Sequence, residues 1–326
     1  MTILVTGGAG YIGSHAVLAL IDAGFSVVVA DNLTTGRRQA VPVEIPLVKV
    51  DLGDESGMSG LFETYKPSAV MHFAGSIVVP ESVERPLDYY SNNVGNTLSL
   101  LKLCQHHGVK NFIFSSTAAV YGEPEVIPVT EENFTNPINP YGWSKLMSEQ
   151  MIKDASVAHG LNYGILRYFN VAGADPEGRV GQSTPGATHL IKIASQVALG
   201  LREKISVFGT DYLTRDGTCV RDYIHVSDLV YAHVLVLKHL QNGKENFIAN
   251  CGYGHGYSVR EVLDETGQVI GRDIPTEDRP RRAGDPPNLV ADVTRIHDIL
   301  DWNPKYDDLG LIIKTALNWE RTLQGN

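Results

Sequence analysis

The sequence predicts an α/β fold: a doubly wound parallel sheet followed by a smaller C-terminal α/β domain. Three observations predict it. Short apolar runs alternate with helical stretches from residue 3 to residue 169, the pattern of consecutive β-α-β units. The first unit closes on Gly7, Gly10 and Gly13, a tight turn between strand and helix. After residue 170, glycine, proline and polar residues replace the alternation, which marks a second unit. The expected division is 1–172 and 173–326, with residues 219–240 packing back onto the first.

Composition narrows the function. The 326 residues suit one large domain or two ordinary ones. A net charge of -10 argues against nucleic acid or an anionic membrane as partner, while allowing a local basic pocket. Cys104, Cys219 and Cys251 are scattered, odd in number and lack metal-ligand spacing. They read as buried free thiols in a reducing compartment, and no metal is expected. No basic segment precedes residues 2–6, and no run is apolar enough to span a bilayer. A cytoplasmic enzyme is the expectation.

The first strand, around Ile3-Leu4-Val5, leads into Thr6-Gly7-Gly8-Ala9-Gly10-Tyr11-Ile12-Gly13. Such a turn lets backbone N–H groups approach a pyrophosphate at a helix N-terminus, so the sheet domain reads as a Rossmann-type dinucleotide site. A helix from about Tyr11 to Ala23 stops at Gly24, and a strand from Ser26 to Ala30 ends at Asp31. An acid at this distance accepts from both ribose hydroxyls and repels a 2′-phosphate, favouring NAD. Arg37 and Arg38 keep NADP open. The strand Leu47–Val50 ends at Asp51, a candidate for the adenine edge, and Gly57 to Thr64 reads as helical. Ala69 to Phe73 is a strand opening into Ala74-Gly75, where small residues let the chain pass near a cofactor. A long helix is expected from Pro86 to His107, carrying Asn92 and Asn93.

The strand from Asn111 ends in Ser115-Ser116-Thr117. Hydroxyls there sit on the ligand side of a parallel sheet; capping or turn chemistry is the competing reading. Residues 118–140 read as a long loop. In Tyr141-Gly142-Trp143-Ser144-Lys145, a helix begun by Pro140 puts Tyr141 and Lys145 on one face. A phenol, with a pKa near 10, is a poor base at neutral pH. A nearby ammonium favours the phenolate, giving a proton acceptor suited to an alcohol that is losing a hydride. Tyr163 to Phe169 is a further strand, ending at Asn170.

In the second unit, a helix is expected over 189–200 and a strand over 205–208. A strand over 221–226 then leads into a helix capped by Ser227, and Ser258 caps another over 259–270. Arg279-Pro280-Arg281-Arg282-Ala283-Gly284-Asp285 is the one dense basic cluster. It reads either as a phosphate clamp, because arginine binds phosphate through a planar fork, or as a solvated loop. A closing helix is expected from Leu309 to Leu323.

Together, TGGAGYIGSH (Thr6 to His15), HFAG (His72 to Gly75), FIFSST..VYG (Phe112 to Gly122), YG.SK (Tyr141 to Lys145), LRYFN..GA (Leu166 to Ala174) and GT.VRDYIHV.DL (Gly217 to Leu229) resemble the extended short-chain dehydrogenase/reductases. DNL (Asp31 to Leu33) and ESV..PL.YY.NNV (Glu81 to Val94) add to the likeness. Within that family the chain is most similar to the 4-epimerases of UDP-sugars, over nearly its whole length.

The resemblance implies that Tyr141 is the catalytic base and Lys145 its electrostatic partner, which also holds the nicotinamide ribose. Thr117 takes the position of the family's catalytic serine or threonine. A tightly bound, recycled NAD is implied at Gly7, Gly10, Tyr11, Ile12, Asp31, Asn32, Asp51 and Leu52 on one side. Phe73, Ala74, Asn92, Ser115 and Tyr168, with Tyr141 and Lys145, are implied on the other. Asn170, Leu190, Phe208, Arg221, Arg282 and Asp285 match positions that hold the UDP-sugar, alongside Thr117 and Tyr141. Ile77 departs from a common lysine, and His189 from a common asparagine that contacts the nucleotide. Leu289 stands where a tyrosine or a smaller residue lies beside the sugar, so UDP-N-acetylhexosamines and UDP-pentoses stay open beside UDP-glucose and UDP-galactose. A homodimer through the Tyr141 helix and the helix at 86–107 is also implied. A dehydratase of this family needs an Asp-Glu pair after the active-site threonine, where this chain has Ala118-Ala119. A reductase that releases its cofactor is a further alternative. A non-catalytic sensor on this fold would be expected to lack Tyr141 or Lys145.

Overall fold

The structure, a computed structural model, describes residues 1–282 and 285–325. Its centre is a parallel sheet whose strands are apolar on both faces. In chain order these are β1 (Thr2–Thr6), β2 (Ser26–Asp31), β3 (Leu47–Lys49), β4 (Ala69–His72), β5 (Asn111–Thr117) and β6 (Asn162–Tyr168). Between them run α1 (Tyr11–Asp22), α2 (Glu55–Tyr65), α3 (Val79–Glu84), α4 (Pro86–Tyr89), α5 (Asn96–His107) and α6 (Pro140–His159). Later come β7 (Asn170–Ala172), α7 (Leu190–Ala198), β8 (Ile205–Phe208), β9 (Val220–Arg221), β10 (Tyr223–His225), α8 (Val226–Gln241) and β11 (Phe247–Cys251). The sheet order is β11-β6-β5-β4-β1-β2-β3, with every pair parallel.

Alternation along each strand divides the core. Ile3 and Val5 join the cluster under α1 and α8, while Leu4 joins the one under α2, α5 and α6. Helices on both faces make the sheet doubly wound. The strand order reverses at β1, between β2 and β4, so the crevice beyond their C-terminal ends is where a ligand of such a sheet binds.

Three local expectations need correction. The helix expected over 86–107 is broken: α3 and α4 lead into a π-helical turn, Tyr90–Gly95, before α5. Polar contacts hold that turn. Asn93 Nδ2 donates to Ser144 Oγ at 2.9 Å and to Ser76 O at 3.0 Å, and its Oδ1 accepts from Ser76 N–H at 2.8 Å. Second, α8 is capped by His225, whose Nδ1 accepts from Ser227 N–H at 3.1 Å, so Ser227 is the capped residue. Third, Phe247–Cys251, assigned to the C-terminal unit, is the edge strand of the large sheet beside β6. The preceding helix, α8, packs against α1, β5 and β6.

The remaining elements are α9 (Val259–Ile270), α10 (Thr294–Ile299), α11 (Leu309–Gln324) and the short strands β12 (Tyr257–Ser258), β13 (Thr276–Arg279) and β14 (Asn288–Leu289). Here β13 pairs with β8, β9 lies between β12 and β14, and α7, α9 and α11 pack together. Ser258 caps α9 with a full capping box to Glu261. All three cysteines are buried and unpaired.

Candidate active site

The glycine turn after β1 has a steric reason at two positions. Gly7 has φ +69°, and a Cβ there would stand 2.7 Å from Ala74 N; a Cβ on Gly13 would stand 2.1 Å from Gly7 O. No side chain caps α1, which leaves N–H groups of its first turn available to an anion. Asp31, at the end of β2, accepts from Ala9 N–H at 2.9 Å and Leu33 N–H at 2.8 Å, and its remaining lone pairs can accept ribose hydroxyls. Asn32 Nδ2 donates to Asp51 Oδ2 at 2.8 Å, tying the ends of β2 and β3 together. Tyr11 anchors the first turn of α1 by donating to Gly173 O at 2.6 Å. An open turn at a helix N-terminus with an acid beyond it fits NAD.

These groups open into a cleft of about 1630 Å³, larger than a single small-ligand pocket of roughly 300–1,000 Å³. Gly7, Gly10, Tyr11, Ile12, Asp31, Asn32, Asp51, Leu52, Phe73, Ala74 and Asn92 line it. So do Ser115, Thr117, Tyr141, Lys145, Tyr168, Asn170, His189, Leu190, Phe208, Arg221, Arg282, Asp285 and Leu289. Gln182, Cys219 and Tyr223, to which the sequence assigns no site role, also line it. Cys219 and Tyr223 lie within the Gly217–Leu229 motif and Gln182 follows the Leu166–Ala174 motif by eight residues, but nothing in their spacing marks them as facing a ligand.

Asn139 caps α6 by accepting from Gly142 N–H at 2.9 Å, and Pro140 occupies the first turn. Tyr141 and Lys145 are therefore presented from a rigid helix start. Both are buried. Lys145 Nζ donates to Ser115 O at 2.9 Å and lies 4.9 Å from the Phe114 ring centroid. Burial pushes the Tyr141 phenol up to about 12, and a hydrogen bond with Thr117 works in the other direction. Burial pulls Lys145 down to about 8. The expectation that Lys145 lowers the Tyr141 pKa is not met by the protein alone. Desolvation raises the phenol, and the ammonium is directed at the Ser115 carbonyl instead.

The three hydroxyls after β5 divide the two readings between them. Ser115 hydrogen-bonds to the Tyr168 phenol, and Ser116 donates to Glu149. Thr117 caps the following turn, accepting from Ala119 N–H at 3.2 Å, while reaching Tyr141.

The basic cluster also divides. Arg282 lies over the Phe208 ring, 3.7 Å from its centroid, and faces the cleft. Arg279 pairs with Glu277, and Arg281 with Asp211, so neither contributes to the cleft wall. Ala283 and Gly284 lie outside the described residues. Arg221 Nη2 donates to Asp285 Oδ1 at 3.2 Å, and Leu289 is paired in register with Arg221. His189 stands at the N-cap position of α7 without a side-chain cap hydrogen bond, held below its ordinary pKa by burial and by Lys192. Ile77 is half exposed at the mouth of the cleft.

A cleft of this kind, at the switch point of a doubly wound sheet, defines a dinucleotide-binding α/β protein with room for a second ligand. The chain belongs to the NAD dependent epimerase/dehydratase family, whose sequence profile matches residues 3–252. It is 58% identical over 322 residues to a UDP-glucose 4-epimerase of Azospirillum brasilense, covering 99% of this chain and 92% of that one. It is similar to the crystal structure of UDP-glucose 4-epimerase from Brucella ovis in complex with NAD, with 47% identity, a TM-score of 0.94 and 97% of each chain covered. It is also similar to the enzyme from Bifidobacterium longum in complex with NAD+ and UDP, with 39% identity, a TM-score of 0.94, and 99% of this chain and 98% of that one covered.

Proposed function

We propose that this chain is an isomerase that interconverts UDP-galactose and UDP-glucose, with NAD as a resident cofactor. The observation that carries the reading is that the Tyr141–Lys145 pair shares one cleft with the glycine turn and with the Arg221–Arg282 wall. The glycine turn, Asp31, Asn32 and Asp51 would hold NAD at its pyrophosphate and adenosine end. Ser115, Lys145 and Tyr168 would hold the nicotinamide end. When bound, NAD supplies the acceptor and donor of the sugar C4 hydride.

The chain's own residues handle binding and the proton. Arg221 and Arg282 would bind the diphosphate through their planar forks, with Asn170, His189, Leu190, Phe208 and Asp285 framing the nucleotide. Leu289 would border the sugar. Thr117 would hydrogen-bond the C4 oxygen while Tyr141 Oη takes the C4 hydroxyl proton and later returns it. The Lys145 ammonium would stabilise the phenolate, offsetting the desolvation that keeps the phenol protonated. Anchored by UDP, the 4-ketose turns over and presents its other face. Ala118 and Ala119 offer no acid or base for a dehydratase step.

The same reading assigns residues 1–172, together with 219–251, to the NAD-binding unit and most of the remainder to the UDP-sugar unit. It places the enzyme in the cytoplasm, where its three unpaired thiols would stay reduced. It makes the enzyme a homodimer through the exposed Leu98, Trp143 and Met147 on α5 and α6.

Proton NMR of UDP-galactose mixed with the purified protein, with no NAD added, tests it. UDP-glucose is the expected product. No conversion, even after NAD is supplied, overturns the assignment. UDP-N-acetylgalactosamine under the same conditions reads out the Leu289 pocket.

A further inference from the structure

Tyr141, Lys145 and Glu149 recur at four-residue spacing on α6 and are all buried. They lie on one face of the helix. The Glu149 carboxylate has two partners. Arg167 on β6 clamps it with Nε to Oε1 at 2.9 Å and Nη2 to Oε2 at 2.6 Å, and Ser116 on β5 donates to Oε1. Arg167 also donates to the Tyr121 hydroxyl at 3.1 Å, and that hydroxyl donates to Asn250 Oδ1 at 2.7 Å. The network thus joins the catalytic helix to β5, β6, β11 and the turn that follows Thr117. A buried ion pair is costly to desolvate and is weak evidence for stability. A carboxylate placed one turn from Lys145 needs a further reason.

We propose that Glu149 is a positioning residue for the Tyr141–Lys145 pair: its buried carboxylate, oriented by Arg167 and Ser116, keeps Lys145 charged and directed at the Ser115 carbonyl. Burial lowers the Lys145 pKa, and Glu149 is the charged group that opposes the fall. The other groups packed around this face do not substitute for it. His72 on β4 is held neutral, near 3, by burial and by Lys145 itself. Burial keeps the phenols of Tyr89, Tyr121 and Tyr168 and the thiol of Cys104 protonated. Glu81 on α3 is engaged by the Tyr89 hydroxyl at 2.9 Å, and Asn93 carries no charge.

The inference rests on the catalytic reading of Tyr141 and Lys145. With Lys145 neutral, the Tyr141 phenolate loses its cationic partner. Activity therefore falls as pH rises through the Lys145 pKa, and removing the Glu149 charge moves that fall to lower pH.

The test is the pH dependence of kcat for the holoenzyme across the neutral and alkaline range. Glu149→Gln should shift the alkaline limb down by about 1 pH unit, with KM for the UDP-sugar little changed. Glu149→Asp, which keeps the charge, should restore the limb toward its original position. The double variant Glu149→Gln with Arg167→Gln removes the stranded guanidinium as well; because the lost positive charge offsets part of the lost negative one, it should shift the limb in the same direction by a smaller amount if the single variant does not fold. An unmoved limb with uniformly reduced kcat overturns the proposal, because that is the signature of a purely structural ion pair. Failure of both Gln variants to fold and retain NAD overturns it on the same ground. An inactive unmodified enzyme would instead overturn the epimerase reading.

Discussion

Tyr141 shows why a single residue's chemistry depends on its surroundings. Four-residue spacing and Pro140 put Tyr141 and Lys145 on one helical face, and both facts are local to the chain. The competition that sets their pKa values is not local. Burial raises the phenol to about 12 and lowers the ammonium to about 8, so the protein by itself stores the proton on Tyr141. On the proposed reading, Tyr141→Phe removes the proton carrier without disturbing Lys145. The expected result is a kcat reduced by roughly 10²–10⁴-fold with NAD content unchanged, measured by the UDP-galactose NMR assay and by cofactor released on denaturation. At this scale the hydroxyl run Ser115-Ser116-Thr117 was half legible. Its position at the end of β5 follows from the strand, but only packing against Tyr168, Glu149 and Tyr141 assigns each hydroxyl a partner.

At the scale of the element, the β1–α1 turn was the most legible part of the chain. Its strand, glycines, helix and acid are consecutive and need no distant partner to be recognised. Gly13→Ala adds a Cβ where Gly7 O already stands, at 2.1 Å, so the turn must shift by more than a van der Waals adjustment. The expected outcome is a protein purified with little NAD and correspondingly reduced turnover, read by cofactor absorbance. The helix over 86–107 was misread for the opposite reason. Its π-helical turn follows from Asn93 contacts to Ser76 and Ser144, residues 17 and 51 positions away, which no periodicity reports. π-helical turns cluster at functional sites, and this one carries Asn92 into the cleft.

At the scale of the molecule, the cleft joins walls built from both halves of the chain. Asp222 is one of the ties. Its carboxylate accepts from Tyr253 N–H at 2.9 Å, Gly254 N–H at 3.0 Å and Ala291 N–H at 3.3 Å, holding the segment that carries Arg221 against two distant loops. A ligand that bridges such walls stabilises the folded state by mass action. UDP at about 100 times its Kd should add about 2.7 kcal/mol, seen as a rise in the thermal unfolding midpoint. Arg282→Ala should lose most of that rise while leaving the midpoint without UDP nearly unchanged, because the Arg282 side chain is exposed and its contact on Phe208 is a cation–π pairing at the surface.

The sequence by itself determined the architecture, the glycine turn and the placing of Tyr141 and Lys145 on one helical face, because each is written in consecutive or helically spaced residues. Tertiary structure decided three other things. It placed Phe247–Cys251 at the edge of the large sheet, since a strand's partner depends on which hydrogen-bonding edge is free. It separated Arg282 from Arg279 and Arg281, since neighbouring arginines diverge once each finds its own acid or ring. It set the protonation of Tyr141 and Lys145, because desolvation is a property of everything that surrounds a side chain and of nothing in its immediate sequence.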